Sequence, residues 1–247
     1  MSEIYLYTFG SVFIVSAISL IGVVALGLNE RFLRSILSYL VSLSAGALLG
    51  DVFLHLFPEM AEVGFGVREG AYFLGGIVLF FVLERFILWH HSHSNHEEEI
   101  HASVYLTMFG DSLHNFIDGL IIASAFLISI PLGIATTIAV IFHEIPQEVG
   151  QFAILIHGGW SKGKATLYNF LSALTAVLGA VVVVVFARDL QEAPSFLLAF
   201  AGASFIYVAM SDLIPELHKE SSTRKAVIQF FWFLVGIAFM ALILFLE

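Results

Sequence analysis

Two short polar clusters interrupt a chain that is otherwise apolar: His114-Asn115-Phe116-Ile117-Asp118-Gly119 and His143-Glu144-Ile145-Pro146-Gln147-Glu148. In each, donor atoms recur four residues apart, His114 with Asp118 and His143 with Gln147. Positions i and i+4 lie one above the other on a helix face. Two antiparallel helices facing each other would then offer two imidazoles, a carboxylate and an amide oxygen to one point. That is a first shell for a divalent cation, completed by water or by Glu148. Asn115 and Glu144 stand on the adjoining face and, with Asp118 and Gln147, offer a second, weaker position. Neutral amides and water, in place of a closed shell, suit an ion that must leave again. The chain has no cysteine, so thiolate sites are excluded. The remaining donors suit zinc, iron(II), manganese and similar borderline ions. The competing reading is a hydrogen-bonded seam between packed helices, with no metal.

A second chemistry shares part of this text. Intramembrane metalloproteases use H-E-x-x-H, two histidines on zinc with a glutamate base. Here position 147 is glutamine and Pro146 lies inside the motif, so a catalytic zinc would need other ligands.

The elements that must position these residues follow from composition. Of 247 residues, 59% are hydrophobic and 12% charged, against about 25% charged in a soluble domain. No strand-like alternation appears, which excludes an outer-membrane barrel. The expected fold class is therefore an all-α polytopic membrane protein in a lipid bilayer. A net charge of −10 argues against nucleic acid and against anionic substrates. A bilayer core needs about twenty apolar residues per helix. Eight segments qualify, at roughly 4–27, 36–57, 71–88, 102–127, 132–157, 166–187, 195–214 and 226–246. They form a single transmembrane transporter domain, 1–247. The N-terminus lacks a basic n-region, so the first segment reads as a retained span. With both termini outside, eight of the ten basic residues fall inside (Arg31, Arg34, Arg85, Lys162, Lys164, Lys219, Arg224, Lys225) and two outside (Arg68, Arg188), as the positive-inside rule requires. No N-x-S/T sequon occurs, which fits a prokaryotic inner or plasma membrane.

Ionisable groups at membrane depth are costly and mark ion paths, proton relays or bound cations. Both central segments carry them, next to a glycine (Gly119) that loosens the helix and a proline (Pro146) that kinks it. His55, Asp111 and Asp212 are candidate pathway residues. Residues 89–101 form a cytoplasmic loop with His90, His91, His93, His96 and His101 among small polar residues and glutamates. Such a tract binds metal by composition, or serves as a solvated linker. The second and seventh segments echo each other, with Ala45-Gly46-Ala47, His55, Pro58, Glu59 in one and Ala201-Gly202-Ala203, Asp212, Pro215, Glu216 in the other. They cross in opposite senses, so the echo reads as an inverted repeat. Alternatively, small residues serve close packing and the prolines end both helices.

At these residues the chain resembles the ZIP (Zrt/Irt-like) family of divalent-metal transporters. The LIV-1 branch in particular carries H-N-x-x-D-G in the fourth span and H-E-x-P-H-E in the fifth. Further likeness lies in Ala47-Leu48-Leu49-Gly50-Asp51, in His55-Leu56-Phe57-Pro58-Glu59 and in the D-x-x-P-E of the seventh span. The resemblance implies eight spans in a 3+2+3 arrangement, homodimers, and uptake of a divalent metal into the cytoplasm. The metal is substrate rather than cofactor: zinc first, with iron(II), manganese or cadmium as alternatives. It implies a first metal site of His114, Asp118, His143 and Gln147, and a second of Asn115, Asp118, Glu144 and Gln147. Gln147 departs from the branch, which has histidine there, and the sixth span lacks the glutamate of some branches. An exporter using the same ligands, or a sensor that does not translocate, stays open. No enzyme activity is expected.

Overall fold

The computed structural model describes residues 2–22, 30–90, 98–157, 159–186 and 193–246, and every regular element among them is helical. In chain order these are α1 (Ser2–Ile18), α2 (Glu30–Asp51), a π turn (Val52–Leu56), α3 (Phe57–Val63), α4 (Val67–His90), α5 (Glu98–Ile128) and α6 (Ile130–His157). There follow α7 (Lys162–Ala173), α8 (Thr175–Phe186), α9 (Ala193–Tyr207), a second π turn (Val208–Leu213), α10 (Ile214–His218) and α11 (Thr223–Ile243). Among the described residues, six helical stretches are long and apolar enough to cross a membrane: Leu37–Glu62, Met108–Ile128, Ile130–Ile156, Lys162–Phe186, Ser195–His218 and Thr223–Ile243. The apolar helix Glu3–Ile18 is shorter, because a turn follows at Ser19, whose N–H bonds back to the Ser16 carbonyl. The chain is a multi-pass membrane protein.

The polarity of the fold is inverted relative to a water-soluble domain. Asp51, His55, Asp111, Asn115, Asp118, His143, Glu144, Glu148 and Asn169 are all buried. Phe230, Phe231, Leu234 and Leu242 of α11 are exposed. Lipid accepts the apolar exterior, while buried polar groups must find partners inside.

The prolines near the ends of the second and seventh spans do not stop them. Pro58 and Pro215 each sit in the first turn of a helix entered through a π turn. Proline has no N–H to give. Widening the preceding turn accommodates this: the Phe57 N–H reaches the Val52 carbonyl and the Ile214 N–H reaches the Ala209 carbonyl, each five residues back. The span ends expected at 57 and 214 therefore extend to Glu62 and His218. That both echoing segments carry the same local device is a structural likeness beyond their shared residue types.

Gly119 likewise differs from the sequence reading. It does not loosen α5, which runs unbroken from Glu98 to Ile128. A Cβ at Gly119 would collide with the Ala176 carbonyl of α8, and one at Gly179 with the Phe116 carbonyl of α5. The α2–α11 seam repeats this, with Gly46 on the Phe233 carbonyl and Gly236 on the Leu43 carbonyl. Without a hydrophobic driving force between spans, close backbone approach supplies the dispersion contact that holds them. Beyond these seams, α4 packs on α9, α2 on α6, α1 on α6 and α5 on α9.

Ser129 alone separates α5 from α6. Its Oγ accepts the Leu132 N–H at 3.2 Å and so caps α6, and Pro131 falls in the first turn, where no donor is missed. The connection is so short that the two helices must run antiparallel and in contact. His114 lies 15 residues before Ser129 and His143 lies 14 after it, so the hairpin places both at the same depth, about 21 Å of helix rise from the turn.

Candidate metal centre

Where the two helices face each other, four side chains converge. His114 Nε2 lies 3.2 Å from His143 Nε2 and 3.4 Å from both Asp118 Oδ2 and Glu144 Oε1. His143 Nε2 lies 3.2 Å from Asp118 Oδ2 and 3.7 Å from Glu144 Oε1. One ligand atom from each of the four fits within 4.8 Å of all the others. A divalent transition metal bound about 2.0–2.2 Å from nitrogen and oxygen donors needs ligand atoms at such separations.

The outer hydrogen bond of His143 suits a ligand role. His143 Nδ1 lies 3.2 Å from the Ala139 carbonyl, one turn back on α6. A carbonyl only accepts, so Nδ1 donates there, and Nε2 is the ring nitrogen that faces the cluster. This is the outer hydrogen bond that fixes tautomer and orientation in metal-bound histidines. Neither carboxylate oxygen of Glu144 has a hydrogen-bond donor, although both are buried. Buried oxygens left without donors call for an explanation, and a cation among the four supplies one. A metal held here would require both imidazoles neutral, and the two carboxylates, Asp118 and Glu144, would then balance a doubly charged ion. Asp118, His143 and Glu144 are essentially inaccessible, whereas the His114 side chain is 21% exposed and forms the open edge. Phe205 of α9 walls the other side, its ring centroid 6.0 Å from that of His143.

The remaining sequence candidates fall around this cluster. Asn115 donates from Nδ2 to the Asp111 carbonyl at 3.1 Å, and its buried Oδ1 has no donor. Asp111 Oδ2 accepts from Ser172 Oγ at 2.6 Å and ties α5 to α7. Gln147 is half-buried on α6, one turn beyond His143. Glu148 turns toward α7, where Asn169 donates to its Oε2; Asn169 Nδ2 also reaches the Ser19 carbonyl at 3.2 Å. His55 is buried in the second span and donates from Nε2 to the Met240 carbonyl at 3.0 Å, a link to α11 away from the four. Asp212 is exposed and accepts from Ser211 Oγ at 3.1 Å. His91, His93 and His96 lie outside the described residues; His90 ends α4 and His101 lies in the first turn of α5, with only their backbone described. The loop expected at 89–101 is therefore helical at both ends.

Residues that sequence reasoning did not place near the site are Phe205, against the His143 ring, and Ser44, whose Oγ donates to the Phe142 carbonyl just before His143. No signal in the chain marks either, because each comes to α6 only through the packing of another span.

A cavity of roughly 440 Å³ opens on one face of α6. Pro146 lines it together with Leu37, Ser38, Val41 and Gln229, and Glu216, Leu217, Lys219 and Glu220 lie around it.

Comparison with known proteins matches this chain to the family model described as ZIP Zinc transporter over residues 2–103 and 88–244. Zinc transporter ZIP13 of Pongo abelii is 32% identical over 221 residues, covering 83% of this chain and 66% of that protein. Zinc transporter zipt-7.2 of Caenorhabditis elegans is 31% identical over 273 residues, covering 86% and 59%. Zinc transporter SLC39A7 of Mus musculus is 30% identical over 303 residues, covering 87% and 64%. The chain thus spans about three fifths to two thirds of the length of these curated relatives. With a family match running through both central helices, the chain belongs to the ZIP zinc transporter family, a family of transporters and not of enzymes.

Proposed function

We propose that this protein carries divalent transition-metal ions, zinc foremost, across a cell membrane through the cluster His114, Asp118, His143 and Glu144, with uptake toward the cytoplasm. The carrying observation is the convergence of two imidazoles and two carboxylates from antiparallel membrane helices, within 4.8 Å of one another and almost wholly buried. Ions arrive from the His114 edge, exchange hydration water for nitrogen and oxygen donors, and leave again because the shell is incomplete. Asn115, Gln147 and Glu148 stand close enough to serve a partly dehydrated ion on its way. The direction follows what the family resemblance implies, and the cavity beside Pro146 offers a route on the inner side. It reaches Lys219 and Glu220, the segment that lysine and arginine bias assigns to the cytoplasmic side.

The proposed architecture is eight spans with both termini outside, built as an inverted repeat around α5 and α6. Pairing of the helices supports it. Exchanging the first three spans with the last three, and the fourth with the fifth, turns the α2–α11 contact into α9–α4, and α1–α6 into α7/α8–α5; all four are present. The matched π turns before Pro58 and Pro215 fit the same exchange. Homodimers in a prokaryotic plasma membrane complete the proposal.

The test is zinc uptake into proteoliposomes under imposed metal gradients of either sign. Asp118→Ala and His143→Ala abolish flux while the protein stays monodisperse; undiminished flux in both refutes the site. Faster outward than inward flux at equal gradients refutes the direction.

A further inference from the structure

Pro146 lies inside α6, four residues after Phe142. In an unbroken helix the residue at 146 would give its N–H to the Phe142 carbonyl. Proline has no N–H, so that carbonyl loses its helical donor at membrane depth, where no bulk water replaces it. Ser44 of α2 stands at this point. Its Oγ is 2.5 Å from the Phe142 carbonyl oxygen and 2.7 Å from the carbonyl of Leu40, one turn back on its own helix. Ser44 is fully buried.

We propose that Ser44 is a positioning residue of the metal centre: its hydroxyl donates to the Phe142 carbonyl freed by Pro146 and so fixes the α6 backbone immediately before His143 and Glu144. This rests on the reading of those two residues as metal-holding. The neighbourhood agrees with it. Ser38 and Val41 of α2 line one cavity with Pro146, and the Phe142 ring meets Phe239 of α11 at 5.2 Å between centroids. Phe142 is thereby held by its ring from one span and by its carbonyl from another. The hydroxyl has one proton and two carbonyls within reach. It serves either as a tie between spans or as a local back-bond to Leu40, so the tie can be released without stranding the serine donor. Ser42 supplies the contrast. It is equally buried, but its Oγ donates only within α2, to the Ser38 carbonyl at 2.9 Å.

The test is a double-mutant cycle on the full chain in detergent, read as the zinc dissociation constant by titration calorimetry. Ser44→Ala weakens zinc binding roughly tenfold, the range for groups that orient a ligand without touching the ion. Ser42→Ala stays within about twofold of the parent. Pro146→Ala restores an N–H at position 146, so adding Ser44→Ala to it changes binding by less than about twofold. An equal loss from Ser44→Ala in both backgrounds, or parent-like binding in the single variant, overturns the proposal. If Ser44→Ala does not fold, Pro146→Ala should restore monodisperse protein, and failure to do so overturns it equally. Parent-like zinc binding by His143→Ala would instead sink the metal reading itself, and with it the role given to Ser44.

Discussion

The sharpest perturbation of the centre is Asp118→Asn, which removes a charge and keeps the shape. Asp118 Oδ2 lies 3.2 Å and 3.4 Å from the two imidazole nitrogens, and it is one of only two anionic groups among the four. A charge-assisted interaction is worth up to about 3 kcal/mol in net terms, which at 1.4 kcal/mol per decade is about 100-fold in dissociation constant. Glu144 Oε1 stands farther off, at 3.4 Å and 3.7 Å, so Glu144→Gln should lose less, about tenfold. The assay is calorimetric zinc binding together with thermal unfolding. At zinc 100 times the parent dissociation constant, ligand binding adds about 2.7 kcal/mol to the parent. A 100-fold weaker Asp118→Asn variant gains only about 0.4 kcal/mol at that concentration, so its unfolding midpoint hardly responds to zinc. Parent-like zinc affinity in Asp118→Asn refutes the assignment of charge. A larger loss in Glu144→Gln refutes the ranking drawn from the distances.

Further outcomes follow from the same geometry. Gly119→Ala forces a methyl into the Ala176 carbonyl of α8 and should destabilise the fold by about 1–3 kcal/mol, read as a lower unfolding midpoint; a neutral result removes the packing role given to that glycine. Gln147→His adds an imidazole beside the cluster, so zinc should bind more tightly and turn over more slowly in a metal-competition uptake series. The Glu220 carboxyl is held below its ordinary 4.5, first by the Ser222 N–H and then by Lys225. A lowered folded-state pKa stabilises above the unfolded value and is lost as pH falls through the folded one. Exchange protection of the Ser222 amide should therefore be flat above about pH 5 and fade below about pH 4.5.

Much of the chemistry was legible in the chain. Charged and amide side chains are rare at membrane depth, so His114, Asp118, His143 and Glu144 stood out against apolar neighbours, and the i, i+4 rule put His114 over Asp118. The same rule paired His143 with Gln147; Glu144, set by that rule on the adjoining face, also comes within 3.4 Å of His114 Nε2. Adjacent residues on a helix point about 100° apart, and only the angle at which α6 meets α5 decides which of them faces the gap. Pro58 and Pro215 show the same limit. Their lack of an N–H is certain from the sequence, yet whether the chain stops or widens into a π turn depends on neighbours that hold the longer helix in place.

Hydropathy and the placement of polar residues determined by themselves that this protein is a helical membrane protein with its densest polar clusters on two neighbouring spans, because an apolar solvent punishes every unpaired polar group and leaves few arrangements. The tertiary structure alone decided which oxygens meet which donors: Ser44 with the carbonyl of Phe142, Ser172 with Asp111, Asn169 with Glu148. Those partners lie 98, 61 and 21 residues apart. Contacts between spans depend on helix rotation and depth, set by seams such as Gly119–Ala176 and Gly46–Phe233, and no periodicity within one helix encodes them.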